Sequence, residues 1–353
     1  MRIVFHSFAG RYSDNPRAIH ERLAARPDLE MVWLAEPVHL AAFPDGTKTI
    51  DPSDPGVPDL LSAADLVVAN THTEYEWDKR PGTTYLQTWH GTPLKRIHND
   101  VLWAPEGRLA RLDRDIARWD LLLSPNRAST PRLAAGFGFA GRIAETGYPR
   151  NDALLAADAE EVRDRTRTAL GLEPGRTAVL YAPTWRDQDV FGASGPLALP
   201  LDLAGLRAAL PDDVVVMVRA HNMVTGRLAT EPLPGILDVS YHPDIRDLYL
   251  AADVLLTDYS SVMFDFAVTG KPIVFSAPDL EAFATTVRGF YFDLAPVAPG
   301  PLTTSVDELL EALTDLPRVQ REYADRYAAF RATYCSLEDG HATDRVLDLL
   351  DLV

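Results

Sequence analysis

The sequence predicts an α/β chain built as two parallel-sheet domains. Three observations predict it. Short apolar runs alternate with helical patterns along the whole length, which argues for parallel sheets covered on both faces. The length, 353 residues, exceeds the usual size of one domain. Every polar motif that stands out falls just after an apolar run, where ligands gather in such sheets.

The elements follow in order. Ile3 to Phe5 reads as a strand, and Asn15 to Ala25 as a helix with Pro16 in its first turn, where a missing N–H costs nothing. Met31 to Ala35, Leu66 to Ala69, Thr84 to Thr88, Leu121 to Leu123 and Ile143 to Glu145 are further strands. A second set starts after Pro149: a helix over Asp158 to Leu170, then strands at Ala178 to Tyr181, Val214 to Val218, Leu237 to Val239, Val254 to Thr257 and Ile273 to Phe275. Helices are expected at Leu203 to Leu210, Asp244 to Ala251, Ser261 to Val268 and Val306 to Ala312. Val319 to Leu350 reads as mostly helical, broken by CSLEDG. The join falls near Gly147 to Ala157. This gives a first domain over 1–153, a second over 154–335, and a last helix over 336–353 that returns to the first. Two Rossmann-like domains facing across a cleft form the GT-B arrangement, and that is the expected fold class.

Composition narrows the function. The formal net charge is −17, which argues against a groove for nucleic acid, since that would carry a basic footprint. A small phosphate pocket needs only local positive charge and free backbone N–H groups. The single cysteine, Cys335, rules out a disulfide framework and a Cys-rich zinc site, as a cytoplasmic protein would permit. No apolar run approaches the ~18 residues of a membrane span, and MRIVFHSFAG is too short for a secretory leader.

Four segments carry chemistry. In TWHGTPLKRI, His90 ends a strand and Gly91 and Pro93 shape the turn after it. Lys95 and Arg96 follow, and their charges would lower the imidazole pKa and help it stay neutral as a proton acceptor. The plain alternative is a hydrogen-bonded histidine in a surface turn. In YAPTWRD, Thr184 and Arg186 lie where a strand opens into a loop, and the guanidinium fork suits phosphate oxygens. In VRAHN, Arg219 and His221 share one face of an extended segment, as an anion site or as part of an ion-pair network. In TDYSSVMFDFAVTGKPIVF, Ser260 is placed to cap a helix whose first N–H groups could seat a phosphate, and Gly270 and Pro272 end it. Capping alone would also account for that serine. Asp244 is another candidate cap. No spacing suggests metal ligands, so no metal cofactor is expected and the charge falls to His, Lys, Arg and helix N–H groups. GFGFAG, Gly136 to Gly141, precedes a strand instead of following one, and reads as a turn.

At these residues the chain resembles the CDP-glycerol glycerophosphotransferase family of teichoic acid primases and polymerases. The resemblance runs through FHSFAGRYSDNPRAIHERL, TWHGTPLKRI, SPN, TGYPRND, YAPTWR, Arg219 with His221, PDIRDLYLAADVLLTDYSSVMFDFAVTGKPIVF, GFYFDL, PGPL and DG, in family order. It implies transfer of glycerol phosphate from CDP-glycerol, or ribitol phosphate from CDP-ribitol, to a hydroxyl of a cell-envelope glycan, with release of CMP. It implies His90 as general base and His221 as a catalytic residue facing the donor diphosphate, with Thr184, Arg219, Asp258, Ser260 and Ser261 on the donor side, where the guanidinium reading also puts Arg186. Asn15, Lys95 and Arg96 are assigned to the acceptor or a phosphate. A lipid-linked acceptor would bring the protein to the cytoplasmic face of the membrane as a peripheral partner. A sugar-nucleotide glycosyltransferase and a non-catalytic envelope-binding protein are the competing readings. Glycerol versus ribitol and primase versus polymerase stay open.

Overall fold

A computed structural model describes residues 1–184, 199–220 and 233–352. The chain divides into two compact units, Met1–Ala153 with Thr333–Val353, and Leu154–Ala332.

The first unit holds β1 (Arg2–His6), β2 (Glu30–Leu34), β3 (Lys48–Ile50), β4 (Leu66–Ala69), β5 (Thr84–Gln87), β6 (Leu121–Ser124) and β7 (Arg142–Glu145). They form one parallel sheet in the order β3-β2-β1-β4-β5-β6-β7. Phe5 pairs with Trp33 on one side and Val68 on the other, so β1 is an interior strand. Alternate residues leave opposite faces of a strand. Ile3, Phe5, Leu66 and Val68 join one core with Ile19 and Leu23 of the helix Asp14–Leu23. Val4, Val67 and Ala69 join the other with Leu122, Leu133 and Phe137. Val346 and Leu347 of the last helix, Ala342–Leu349, enter the first of these cores. The Asp152 carboxylate accepts the Ala342 and Thr343 amides at 2.9 and 2.7 Å, satisfying two N–H groups of that helix's first turn.

The second unit holds β8 (Thr177–Tyr181), β9 (Val214–Val218), β10 (Ile236–Asp238), β11 (Val254–Thr257), β12 (Ile273–Ser276) and β13 (Leu302–Thr303). Its parallel sheet runs β10-β9-β8-β11-β12-β13. Numbered within each unit, the first six strands take the same order, 3-2-1-4-5-6. In both, the order reverses between the first strand and the fourth. That reversal is where two adjacent strand ends open a crevice.

Several elements had no sequence expectation. β3 is exposed at its first two residues and β13 has only two residues, so neither carries a buried apolar run. The helices Val57–Ser62, Arg108–Ile116 and Thr130–Phe137 were also not anticipated. The last of these corrects the reading of GFGFAG. Gly136 and Phe137 belong to its final turn, and Gly138, at φ +59°, is its left-handed cap.

Gly300 shows how tightly β12 and β13 are joined. A Cβ there would lie 1.8 Å from the Ile273 carbonyl oxygen, a backbone atom that cannot swing away. Gly300→Ala is expected to cost the second unit at least ~3 kcal/mol, read as a lower urea midpoint. An unchanged midpoint would contradict this packing.

Candidate functional site

In the first unit, the ends of β1, β4 and β5 meet at the reversal of strand order. Asn70 follows β4 and ties the other two together. Its Oδ1 accepts the Phe8 amide at 3.0 Å, its Nδ2 donates to Ser7 Oγ at 3.2 Å, and its carbonyl receives His90 Nδ1 at 2.5 Å. Phe8 (φ +45°) and Trp89 (φ +52°) are both left-handed, an uncommon state for aromatic residues that their surroundings must hold in place. The Phe8 ring meets His90 edge-on at 5.4 Å, and Trp89 covers it at 4.1 Å.

A carbonyl only accepts, so His90 Nδ1 must carry the proton. The neutral ring then presents Nε2 as a bare acceptor. Burial holds the His90 pKa below the usual histidine value. The Asn70 carbonyl and Asp14 pull it up, and Arg150 pushes it down. The neutral imidazole expected from sequence is present, but its cause is different: burial and Arg150 lower the pKa, not Lys95 and Arg96. Lys95 is half-buried and Arg96 is exposed on the loop beyond.

Asn15 was expected to meet an acceptor or a phosphate. It is fully buried instead. Its Nδ2 donates to the Trp89 carbonyl at 3.0 Å and its Oδ1 accepts the Arg150 amide at 3.1 Å. Its carboxamide braces the histidine loop and is not presented to a ligand. Tyr148 Oη donates to the Gly91 carbonyl at 3.3 Å, so the residues on both sides of His90 are held. Asn70, Asp14, Tyr148 and Arg150 were not singled out from sequence. Their one local signal is position, directly after a strand or in a proline turn.

In the second unit, Asp258 plays the part that Asn70 plays in the first. It follows the fourth strand, and its Oδ1 accepts the amide of Thr184 after the first strand at 2.8 Å, and that of Tyr259 at 2.5 Å. Both Asp258 and Thr184 are buried. Oδ1 of this donor-site candidate thus holds the strand ends together. Arg219 Nη1 donates to the carbonyls of Val239 at 2.8 Å and His242 at 2.5 Å, fixing the loop after β10. Asp244 caps the helix Ile245–Ala251 through the Arg246 amide, as expected.

Ser260 does not cap its helix. Val262–Phe266 is a short helix preceded by Ser261, whose own backbone is already helical and whose side chain makes no cap bond. Both serines are half-exposed, and their hydroxyls have no hydrogen-bond partner among the described residues. The αL residue Gly270 ends the following turn, as read from sequence. Arg186 and His221 lie outside the described residues. Among the described residues, no group of three His, Cys, Asp or Glu side chains is arranged to hold a metal ion.

Residues 1–352 match the CDP-glycerol:poly(glycerophosphate) glycerophosphotransferase family. The chain belongs to that family. A teichoic acid glycerol-phosphate transferase of Staphylococcus aureus is 37% identical, with 98% of this chain and 91% of that protein aligned. The teichoic acid poly(glycerol phosphate) polymerases of Staphylococcus epidermidis and Bacillus subtilis are each 36% identical over 99% and 98% of this chain. The chain spans about half the length of these two polymerases, 50% and 48%. Among solved structures, the wall teichoic acid polymerase TagF superposes with a TM-score of 0.89 at 35% identity, over 99% of this chain and 88% of that one. A UDP-GlcNAc 2-epimerase from Neisseria meningitidis, 13% identical with a TM-score of 0.56, shares the fold alone. Two parallel-sheet α/β units of this kind are consistent with a GT-B-like architecture in this glycerophosphotransferase family member.

Proposed function

We propose that this protein transfers glycerol phosphate from CDP-glycerol to a hydroxyl of a teichoic-acid-type glycan and releases CMP. The observation that carries the reading is the His90 tautomer in a chain matched to this family from end to end. The acceptor oxygen attacks the phosphorus that bears the glycerol. Its proton passes to His90 Nε2, a bond from oxygen to that phosphorus forms, and the bond to the CMP oxygen breaks. On the donor side we place Ser260, Ser261 and Arg219, with His221 carried over from the resemblance and Arg186 from the guanidinium reading. Lys95 and Arg96 are placed with the acceptor or a phosphate. The finer fold reading, two Rossmann-like domains of GT-B type, rests on the strand order that both sheets share.

Glycerol is favoured over ribitol by the relatives. The glycerol-phosphate proteins reach 34–37% identity across 98–99% of the chain. A teichoic acid ribitol-phosphate primase of Bacillus spizizenii reaches 29% across 78%. Parallel incubations with CDP-glycerol and CDP-ribitol test this: CMP release should be faster with CDP-glycerol, and faster release from CDP-ribitol would reverse the assignment.

The pH dependence follows from His90. Its folded pKa lies below the usual 6.5, so kcat/KM should hold steady down through pH 6.5 and fall only at lower pH, as Nε2 takes a proton from solvent. An acid limb centred above 6.5 would contradict the assignment of His90 as base.

We also place the protein at the cytoplasmic face of the membrane, as a peripheral partner of a lipid-linked acceptor. Leu102 and Trp103 are 46% and 63% exposed, and the exposed Arg96 precedes them in the chain. An exposed apolar pair of this kind suits a lipid interface. No described helix is long and apolar enough to cross a membrane. Sedimentation with phosphatidylglycerol vesicles should fall several-fold for Trp103→Ser. Equal sedimentation of the two proteins would remove this surface from the account.

A further inference from the structure

Asp14 and Arg150 form an ion pair beside His90, and the chemistry proposed above does not use it. Arg150 Nη1 lies 3.3 Å from Asp14 Oδ1 and 3.5 Å from Oδ2, and the two side chains are only 3% and 8% exposed. Removing two charges from water costs several kcal/mol per ion, so a buried pair is a poor source of stability. Asp14 is also left-handed, at φ +63°, a region uncommon outside glycine although aspartate enters it more readily than most residues. Both features are costs to the fold, and both are spent next to the same imidazole.

The pair is also wired to the His90 backbone. The Arg150 amide donates to Asn15 Oδ1, and Asn15 Nδ2 donates to the Trp89 carbonyl. The Arg150 guanidinium lies 4.3 Å from the centroid of the Tyr148 ring, and Tyr148 Oη donates to the Gly91 carbonyl. Asp14 Oδ1 accepts the Asn15 amide at 2.7 Å. The peptide carbonyls before and after His90 are therefore both held by residues in contact with Arg150.

We infer that Asp14 and Arg150 are positioning residues for His90, a buried pair of opposite charges that orients the imidazole and biases its protonation, with Asn15 and Tyr148 as braces. The inference rests on the reading of His90 as the base. As Nε2 gains a proton, the Asp14 carboxylate favours the imidazolium and the Arg150 guanidinium opposes it, the directions in which each acts on the His90 pKa. Burial keeps the resting ring neutral, and the pair biases its protonation from the two opposite sides. Among the described residues His72, on the loop after β4, also feels the His90 ring, and burial keeps it neutral as well.

The test uses Asp14→Asn and Arg150→Gln in the full chain, with folding checked by near-UV circular dichroism. The His90 titration is followed by NMR with labelled histidine, and kcat is followed against pH. Asp14→Asn should lower the His90 midpoint and Arg150→Gln should raise it, with the acid limb of kcat moving in the same two directions. Shifts of the same sign, or none, in folded variants would overturn the inference. Tyr148→Phe carries the test if a charge variant does not fold. It should lower kcat several-fold with KM and the His90 midpoint unmoved, because it loosens the loop without changing a charge. An unchanged kcat would count against the brace. If His90→Asn stays active, the base reading fails by itself, and the NMR midpoints still decide whether the pair governs the ring.

Discussion

His90→Asn is expected to lower kcat by about 10²- to 10⁴-fold, the usual contribution of a positioned general base. The substitution is chosen for what it keeps. An asparagine amide nitrogen can occupy much the same place as imidazole Nδ1 and donate to the Asn70 carbonyl in its stead. The β4 and β5 ends then stay joined, and the Phe8 amide keeps its bond to Asn70 Oδ1. What is lost is the bare Nε2. If that atom only takes a proton in the transition state, KM should barely change while kcat falls. CMP release measured at pH 7.5 with saturating CDP-glycerol gives the answer. A variant within tenfold of the parent would show that the proton goes elsewhere.

The second large effect is on stability in acid. Burial holds the His6 pKa down to about 4. It holds His72 down to about 3, helped by the nearby His98, His90 and Arg108. In the unfolded chain both take a proton near 6.5. Below that pH the unfolded state binds more protons than the folded one, so stability falls as pH falls until the folded pKa values are reached. Each group loses about 1.4 kcal/mol per pH unit across this window, so the two together should remove ~5 kcal/mol by pH 4.5. That is a large part of an ordinary domain's stability. The lowered pKa values of His20 and His39 act in the same direction. Trp33, Trp77, Trp89, Trp103 and Trp119 all lie in the first unit, so their fluorescence in urea at pH 7.5 and 4.5 reports on it. His72→Phe, set among Trp89, Trp119 and Phe137, should remove about half of the loss. A urea midpoint that does not move between the two pH values would show that these rings are not buried neutral.

The central strands were legible because they are buried on both faces. Runs such as VVVMV at Val214–Val218 and LVVA at Leu66–Ala69 have no other reading between turn signals. Asp244 was legible as a cap because capping is a local act, settled within a few residues. The same reasoning misplaced Ser260. The rule asks only for a hydroxyl before an apolar run, and here the chain is already helical at Ser261. Edge strands such as Leu302–Thr303 left no pattern to read. The surroundings of His90 were out of reach for a different reason. Asn15 touches Trp89 across 74 positions, and Asp14 touches Arg150 across 136, so no window of local sequence contains either contact. Sequence could nominate His90 and propose that nearby charge keeps it neutral. Only the fold shows which charge is near. Asp258 makes the same point: the resemblance named it for the donor side, and only the register of β8 beside β11 shows its Oδ1 bracing the two strand ends.

The deciding measurement follows both products of one incubation by mass spectrometry: the purified protein, CDP-glycerol and a glycan acceptor of teichoic acid type. The account predicts CMP in solution and an acceptor heavier by one glycerol phosphate per transfer, with both products lost in His90→Asn. Transfer of a hexose from UDP-glucose in a parallel incubation, with no CMP released from CDP-glycerol, would contradict it.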